Sequence, residues 1–275
     1  MALEFYKRRF RMPGKKMQYV LAFTALLLAM VLAFCWMLIR HKMDEARNPV
    51  SSDDASSATQ PVVYTAEDDA HLLLIIDSGD EMQFFLTHAS PADNAIRVTA
   101  IPDNAIVNDK LTLSALYRKH GSAYIVQQLA AKTNRPLRHY IAISKDNAEK
   151  WFARLGNDLT MTLHSDVVMA SGNGTQTTLM AGEHALTAPQ ATALLCQSSL
   201  SDELHADVIV SMLRQYLHSG RNLAADFSYL GNMTQTSLRI GDFYSYRDRL
   251  TYLAEQNSNG RCCIIAQAFT DISHN

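Results

Sequence analysis

Two carboxylates, Asp77 and Asp80, flank Ser78-Gly79 at the end of the apolar run Leu72-Leu73-Leu74-Ile75-Ile76. Ligands gather at the carboxyl ends of sheet strands in α/β folds, and paired carboxylates there offer the oxygen ligands that a hard divalent cation takes. Aspartate also caps turns by accepting backbone N–H groups, so the same pair reads equally well as turn chemistry. Other catalytic patterns are missing from the sequence: there is no phosphate-cradling Gly-x-x-x-x-Gly-Lys-Ser/Thr, no Gly-x-Ser-x-Gly elbow and no His-Glu-x-x-His. The 10 His residues show no ligand spacing. Of the 4 Cys, Cys35 lies in a long apolar segment, and Cys196, Cys262 and Cys263 are too few and odd in number for a disulfide framework. Three buried thiols are the expectation for them, with a bridge from Cys196 to one of the vicinal pair left open.

The elements that must position Asp77 and Asp80 follow from periodicity. The run from His71 to Asp77 predicts a strand buried on both faces. Strands over 82–87 and 95–101 follow, in an antiparallel hairpin across Ser90-Pro91-Ala92-Asp93-Asn94. Apolar residues at helical spacing predict helices over 111–119 and 122–132. A strand over 137–143 leads to a helix over 145–155 closed by Gly156, and 159–163 alternates as a strand. Beyond these come a strand over 175–180, helices near 189–195, 202–218 and 242–256, and a final buried strand over 261–268. The alternation predicts an α/β/α three-layer domain with a mixed central sheet.

Residues 17–39 run without a formal charge and are long enough to cross the ~30 Å hydrocarbon layer of a bilayer. Lys7, Arg8, Arg9, Arg11, Lys15 and Lys16 precede this segment and favour a cytoplasmic N-terminus. A cleaved signal peptide would have a shorter apolar core and small residues at its end; here Cys35-Trp36-Met37-Leu38-Ile39 stands there. The expected organisation is a cytoplasmic basic tail over 1–16, a transmembrane helix over 17–39, a flexible polar linker over 40–69 and an extracytoplasmic domain over 70–275. Residues 1–47 hold nine Lys/Arg and three Asp/Glu of the 25 and 27 in the chain, leaving 16 basic and 24 acidic residues, net −8, outside. That balance excludes nucleic acid as the main partner, because phosphate backbones need a basic face.

In this setting the residues resemble the LytR-CpsA-Psr family of bacterial envelope proteins, whose domain is also termed the cell envelope-related transcriptional attenuator domain. Leu72 to Asp77 looks like the family's first strand, Asp80-Glu81-Met82 like its Arg-x-Asp-Thr-Met, and Val98-Thr99-Ala100-Ile101-Pro102-Asp103-Asn104 like its Ser-Ile-Pro-Arg-Asp segment. Leu137 to Gly156 is similar to the stretch leading into Leu-Gly-Gly-Val, Leu179 to Ala191 to Leu-x-x-Gly-x-x-x-Leu-x-Gly-x-x-Ala, and Arg214-Gln215 to the Arg-Gln closing a helical motif. The resemblance implies transfer of polyprenyl-pyrophosphate-linked glycopolymer onto peptidoglycan, usually with Mg²⁺, by arginines that offset the pyrophosphate charge. It makes Asp77, Asp80, Asp103, Arg214 and Gln215 ligand-binding candidates, Asp80 or Asp77 the metal ligand, and Arg214 the catalytic residue if the chain is active.

The family's arginines are otherwise missing. Their places fall on Ser78, Asp103, Cys196, Ser198 and Ser211. Bidentate arginine has few substitutes against pyrophosphate, and loss of one such contact typically costs ~3–4 kcal/mol of transition-state stabilisation. The expectation is therefore a degenerate, membrane-anchored cell-envelope domain, a pseudoenzyme that binds envelope polymer, polyprenyl lipid or a protein partner. An active glycopolymer transferase using Arg214 with Arg97, Arg118 or Arg138, and a scaffold of an envelope complex, are the two alternatives. The tail of about 16 residues is too short for a DNA-binding domain.

Overall fold

The computed structural model describes residues 63–79, 81–108, 111–155, 158–170, 176–219 and 229–269. The expected tail and transmembrane helix, most of the linker, Asp80 and Gly156 lie outside the described residues. Among the described residues no helix is long and apolar enough to cross a membrane. A short 3-10 turn, Ala66–Asp68, leads into the first strand.

In chain order the elements are β1 (Ala70–Asp77), β2 (Met82–Ser90), β3 (Ala95–Ile101), β4 (Ile106–Asn108), β5 (Leu111–Thr112), α1 (Leu113–His120), α2 (Ser122–Thr133), β6 (His139–Ser144) and α3 (Lys145–Arg154). They continue with β7 (Leu159–Leu163), β8 (Val167–Ala170), β9 (Gln176–Leu179), β10 (Gly182–Leu186), α4 (Ala188–Cys196), α5 (Asp202–His218), β11 (Thr234–Thr236), α6 (Ile240–Ser258) and β12 (Cys263–Ala266). The main sheet has the order β11-β6-β1-β2-β3-β12. β1 is antiparallel to β2 and parallel to β6, and β12 is parallel to β3, so the sheet is mixed.

Each face of that sheet carries its own apolar core. Leu73 and Ile75 of β1, Phe84 and Leu86 of β2 and Ile101 of β3 pack against Leu113 and Leu116 of α1 and Ile125 and Leu129 of α2. The opposite face sets Ile76, Phe85, Val98 and Ile143 against Phe152 of α3, Leu194 of α4, Ile209 and Met212 of α5 and Leu253 of α6. Alternate residues of β1 and β2 thus enter opposite cores, which is why both strands read as nearly continuous apolar runs.

The structure departs from expectation at the margins. Residues 111–112, expected to begin a helix, form β5, and α1 begins after Thr112, whose side chain accepts from the Ala115 N–H. The expected buried strand over 261–268 is the shorter β12, an edge strand with only Ile264 buried and Ile265 39% exposed. An edge strand covered on one face alternates in burial, and two adjacent isoleucines conceal that alternation. The cysteines are free, but Cys196 alone is buried; Cys262 is half-buried and Cys263 exposed.

Phe84 is fully buried between the sheet and α1. Phe84→Ala should lower stability by about 3–5 kcal/mol, read as a shift of the urea unfolding midpoint with an unchanged slope.

Candidate functional site

The register places the carboxyl ends of the parallel strands β1 and β6 side by side, with Asp77 opposite Ser144. Ser144 also starts α3, its side chain accepting from the Asn147 N–H. At this edge the turn after β1 is closed by Ser78 N–H donating to the Glu81 carbonyl at 3.0 Å, with the Ser78 hydroxyl on the same oxygen at 2.7 Å. Gly79 has φ +89°, a left-handed conformation that other residues rarely adopt. Its N–H donates to Asp77 Oδ1 at 2.8 Å. Asp77 Oδ2 has a longer contact, 3.5 Å from the Tyr117 hydroxyl. Burial, and then the Asp77 charge, push the Tyr117 phenol above its usual range. Asp77 therefore does cap the turn while leaving one oxygen weakly engaged.

Across the edge, Glu81 grips the segment between α4 and α5. Its carboxylate accepts from the Ser198 hydroxyl at 2.6 Å and from the Ser198 N–H at 3.1 Å. Gln197 accepts from Ala170 N–H and donates to the Val168 carbonyl and the Ser199 hydroxyl, tying β8 to the same segment. Glu81, Gln176, Gln197 and Ser198 line an open hollow of ≈ 400 Å³. Cys196 lies behind it, its thiol pushed up to about 11 by burial, with Lys145 lowering and Glu81 raising it. Asp103 is exposed and acts electrostatically on Asp202 at the start of α5, whose carboxyl is raised first by burial and further by Asp103.

This edge is acidic. Asp77, Glu81, Asp103 and Asp202 stand there with Lys145 and with Arg118, whose guanidinium reaches the Gly79 carbonyl at 3.5 Å. Ser198, one of the positions where the resemblance expects arginine, lines its hollow, and Cys196, another, is buried and acted on by Lys145 and Glu81.

Arg214 and Gln215 are not brought to this edge. Arg214 donates through Nε (3.2 Å) and Nη2 (2.5 Å) to the Ile264 carbonyl of β12. Ile264 pairs with Ile96, Ile96 with Ala89 and Ala89 with Ala70, so Arg214 sits at the level where β1 begins. Asp77 lies about 23 Å farther along β1 at ~3.3 Å per residue. Gln215 donates to the Asp158 carbonyl and accepts from Thr160 N–H, fastening α5 to β7. The expected grouping of Asp77, Asp103, Arg214 and Gln215 is thus divided between two ends of the sheet. Glu81, Ser198, Asp202 and His205 occupy the edge instead, and the serine-rich Ser198-Ser199-Leu200-Ser201 ahead of α5 was the available signal for it.

A second feature adjoins the edge. Between the sheet and α3, α5 and α6 lies a cavity of ≈ 160 Å³, lined by Ala70, Leu72, Leu74 and Ile76 of β1, by Ile143, Trp151, Met212 and Leu250, and by other residues that are all apolar or aromatic except Thr87. From Ala70 to Ile76 it follows β1 for about 20 Å and ends one residue short of Asp77.

No protein-family model matches the sequence, and no curated protein sequence does. Solved structures do match in fold. A protein of Eubacterium siraeum described as a transcription regulator superposes with a TM-score of 0.67 at 21% identity, over 78% of this chain and 87% of that one. B. subtilis TagV superposes with a TM-score of 0.57 at 13% identity, over 74% and 84% of the two chains. TagT bound to LIIa-WTA gives 0.57 at 17% identity, over 74% and 80%. The chain has the LytR-CpsA-Psr fold that its sequence resembles.

His205 tests the electrostatics of the edge. It is 1% exposed, its Nε2 bonded to the Gln197 carbonyl at 3.1 Å, and burial pushes its imidazole below the usual range. The unfolded chain takes up this proton first, so stability contributed by neutral His205 is present above about pH 6.5 and declines below it. The urea midpoint should fall between about pH 7.5 and 5.5, and His205→Gln should reduce that fall.

Proposed function

We propose that this chain is a membrane-tethered, extracytoplasmic domain that binds a polyprenyl-linked envelope glycopolymer, or its lipid carrier, without transferring it. The apolar cavity carries this reading: lined along about 20 Å of β1 and stopping at Ile76, one residue short of the polar edge, it suits an extended hydrocarbon chain whose head group lies at that edge. Support comes also from the fold, since TagT, a protein of this fold, is bound to wall teichoic acid precursors. The uncharged segment over 17–39 would hold the domain where such lipids reside.

Binding rather than transfer is favoured by the charges at the polar edge beside the cavity. Pyrophosphate transfer depends on cations aimed at oxygens where charge develops. Here Glu81 and Ser198 hold each other, and Asp77, Glu81, Asp103 and Asp202 share the edge with two cations, Lys145 and Arg118. Mg²⁺ fits only in part: Asp77 offers one weakly engaged oxygen, enough for an ion held chiefly by its ligand's phosphates and by water, as Mg²⁺ commonly is. When bound it would neutralise phosphate charge, and the chain's own role would be to orient the head group through Asp77 and Lys145. A residual transferase is the second reading, supported by the likeness to TagT and TagV and by Lys145 and Arg118 at the edge.

Full-length chain in detergent micelles, given a polyprenyl-pyrophosphate-linked saccharide and Mg²⁺, should retain the lipid through gel filtration and release no phosphate. Leu213→Trp, which places an indole in the cavity, should weaken retention about tenfold or more. Retention unaffected by Leu213→Trp would remove the cavity from the account. Phosphate release abolished by Lys145→Ala would replace binding with transfer.

A further inference from the structure

At the start of β1, on the sheet face opposite the cavity, three metal-ligating side chains converge. The antiparallel register sets His71 of β1 directly across from His88 of β2, their rings stacked with centroids 4.3 Å apart. Asp69, the residue before β1, accepts from His88 Nε2 at 2.7 Å. One nitrogen from each ring and one Asp69 oxygen all lie within 4.8 Å of one another. Two atoms of the group have no hydrogen-bond partner among the described residues, His71 Nδ1 and Asp69 Oδ1, and both are buried. His71 itself is 8% exposed. A buried polar atom left without a partner is costly, and the Asp69–His88 hydrogen bond relieves neither.

We propose that Asp69, His71 and His88 form a binding site for a divalent transition metal of the zinc class. Two imidazoles and one carboxylate are a donor set that Zn²⁺ uses, with N and O ligands at roughly 2.0–2.2 Å and a fourth position left to water or an exogenous group. The side chains of His88 and Asp69 are each 17% exposed, which opens the site to solvent for ion entry and for that fourth ligand. Stacked, near-parallel rings cannot both direct a lone pair at one ion, so binding turns His88 about its soft terminal torsion and exchanges its bond to Asp69 for a shared ion. Neighbouring cations are accounted for: Arg97, across from His88 on β3, pairs with Asp93 at 3.1 Å, and Arg249 reaches Asp68 at 4.0 Å. Arg135 acts on His71 electrostatically and opposes the ion, and the Asp69 carboxylate offsets it. The bound ion fastens Asp69, ahead of β1, to β2.

The test uses metal-stripped full-length chain in detergent micelles and Zn²⁺ competed against a chromophoric chelator. One ion per chain is expected, with affinity falling roughly 100-fold or more in His88→Gln. X-ray absorption at the zinc edge of the unmutated, loaded chain should show two imidazoles with oxygen and no sulfur, a readout that stands even if the variant does not fold. Failure to take up stoichiometric Zn²⁺, uptake unchanged in His88→Gln, or sulfur scattering from Cys262 and Cys263 would each overturn the site.

Discussion

Burial of β1 on both faces is the constraint on which the remaining structure depends. Leu73 and Ile75 are fully enclosed by α1 and α2, while Ile76 enters the core beneath α3 and α5. A strand wedged between two cores cannot slip by one residue without exchanging every side chain between them. That fixes the pairing with β2 and β6, and through it the positions of both ends of the strand. Asp77 emerges at one end beside Ser144, and His71 is held opposite His88 at the other. The polar features at the two ends are consequences of one apolar register.

How much of this was legible in the sequence depended on burial. β1, β3, β7, α2 and α5 read correctly because their apolar residues recur at the period of the element and their ends carry turn or cap residues. Strands β8, β10 and β11 were not anticipated: they are short, lie in two-stranded ribbons or at a sheet edge, and bury one side chain in two or fewer. Aligning Arg214-Gln215 with a motif located them in sequence but not in space. A helix of 17 residues carries its first and last turns to opposite ends of a sheet, and its first turns, with Asp202 and His205, stand at the Asp77 edge. The Glu81–Ser198 contact joins residues separated by 117 positions, and no local pattern encodes it. His71 and His88 likewise have no ligand spacing along the chain; strand pairing creates it.

The separation between core and edge means that the fold does not depend on which polar residues stand at the acidic edge. Stability resides in the two apolar cores, and neither contains a residue of the acidic edge apart from Cys196. At that edge Glu81 and Ser198 satisfy each other's polar groups, so the carboxylate is not left without a donor. The fold alone therefore does not assign the activity.

The cavity imposes a different condition. Apolar voids destabilise by about 24 cal/mol per Å³, so one of ≈ 160 Å³ costs on the order of 4 kcal/mol when nothing fills it. An apolar chain entering it recovers dispersion contacts and removes its own surface from water at the same time. With carboxylates at the neighbouring edge, the head group of an anionic lipid would gain little there. In the proposed reading the affinity therefore resides in the hydrocarbon, and the acidic edge disfavours multiply charged head groups rather than stabilising their transfer. Such a site discriminates by chain length and apolar contact first, and by the charge of the head group second.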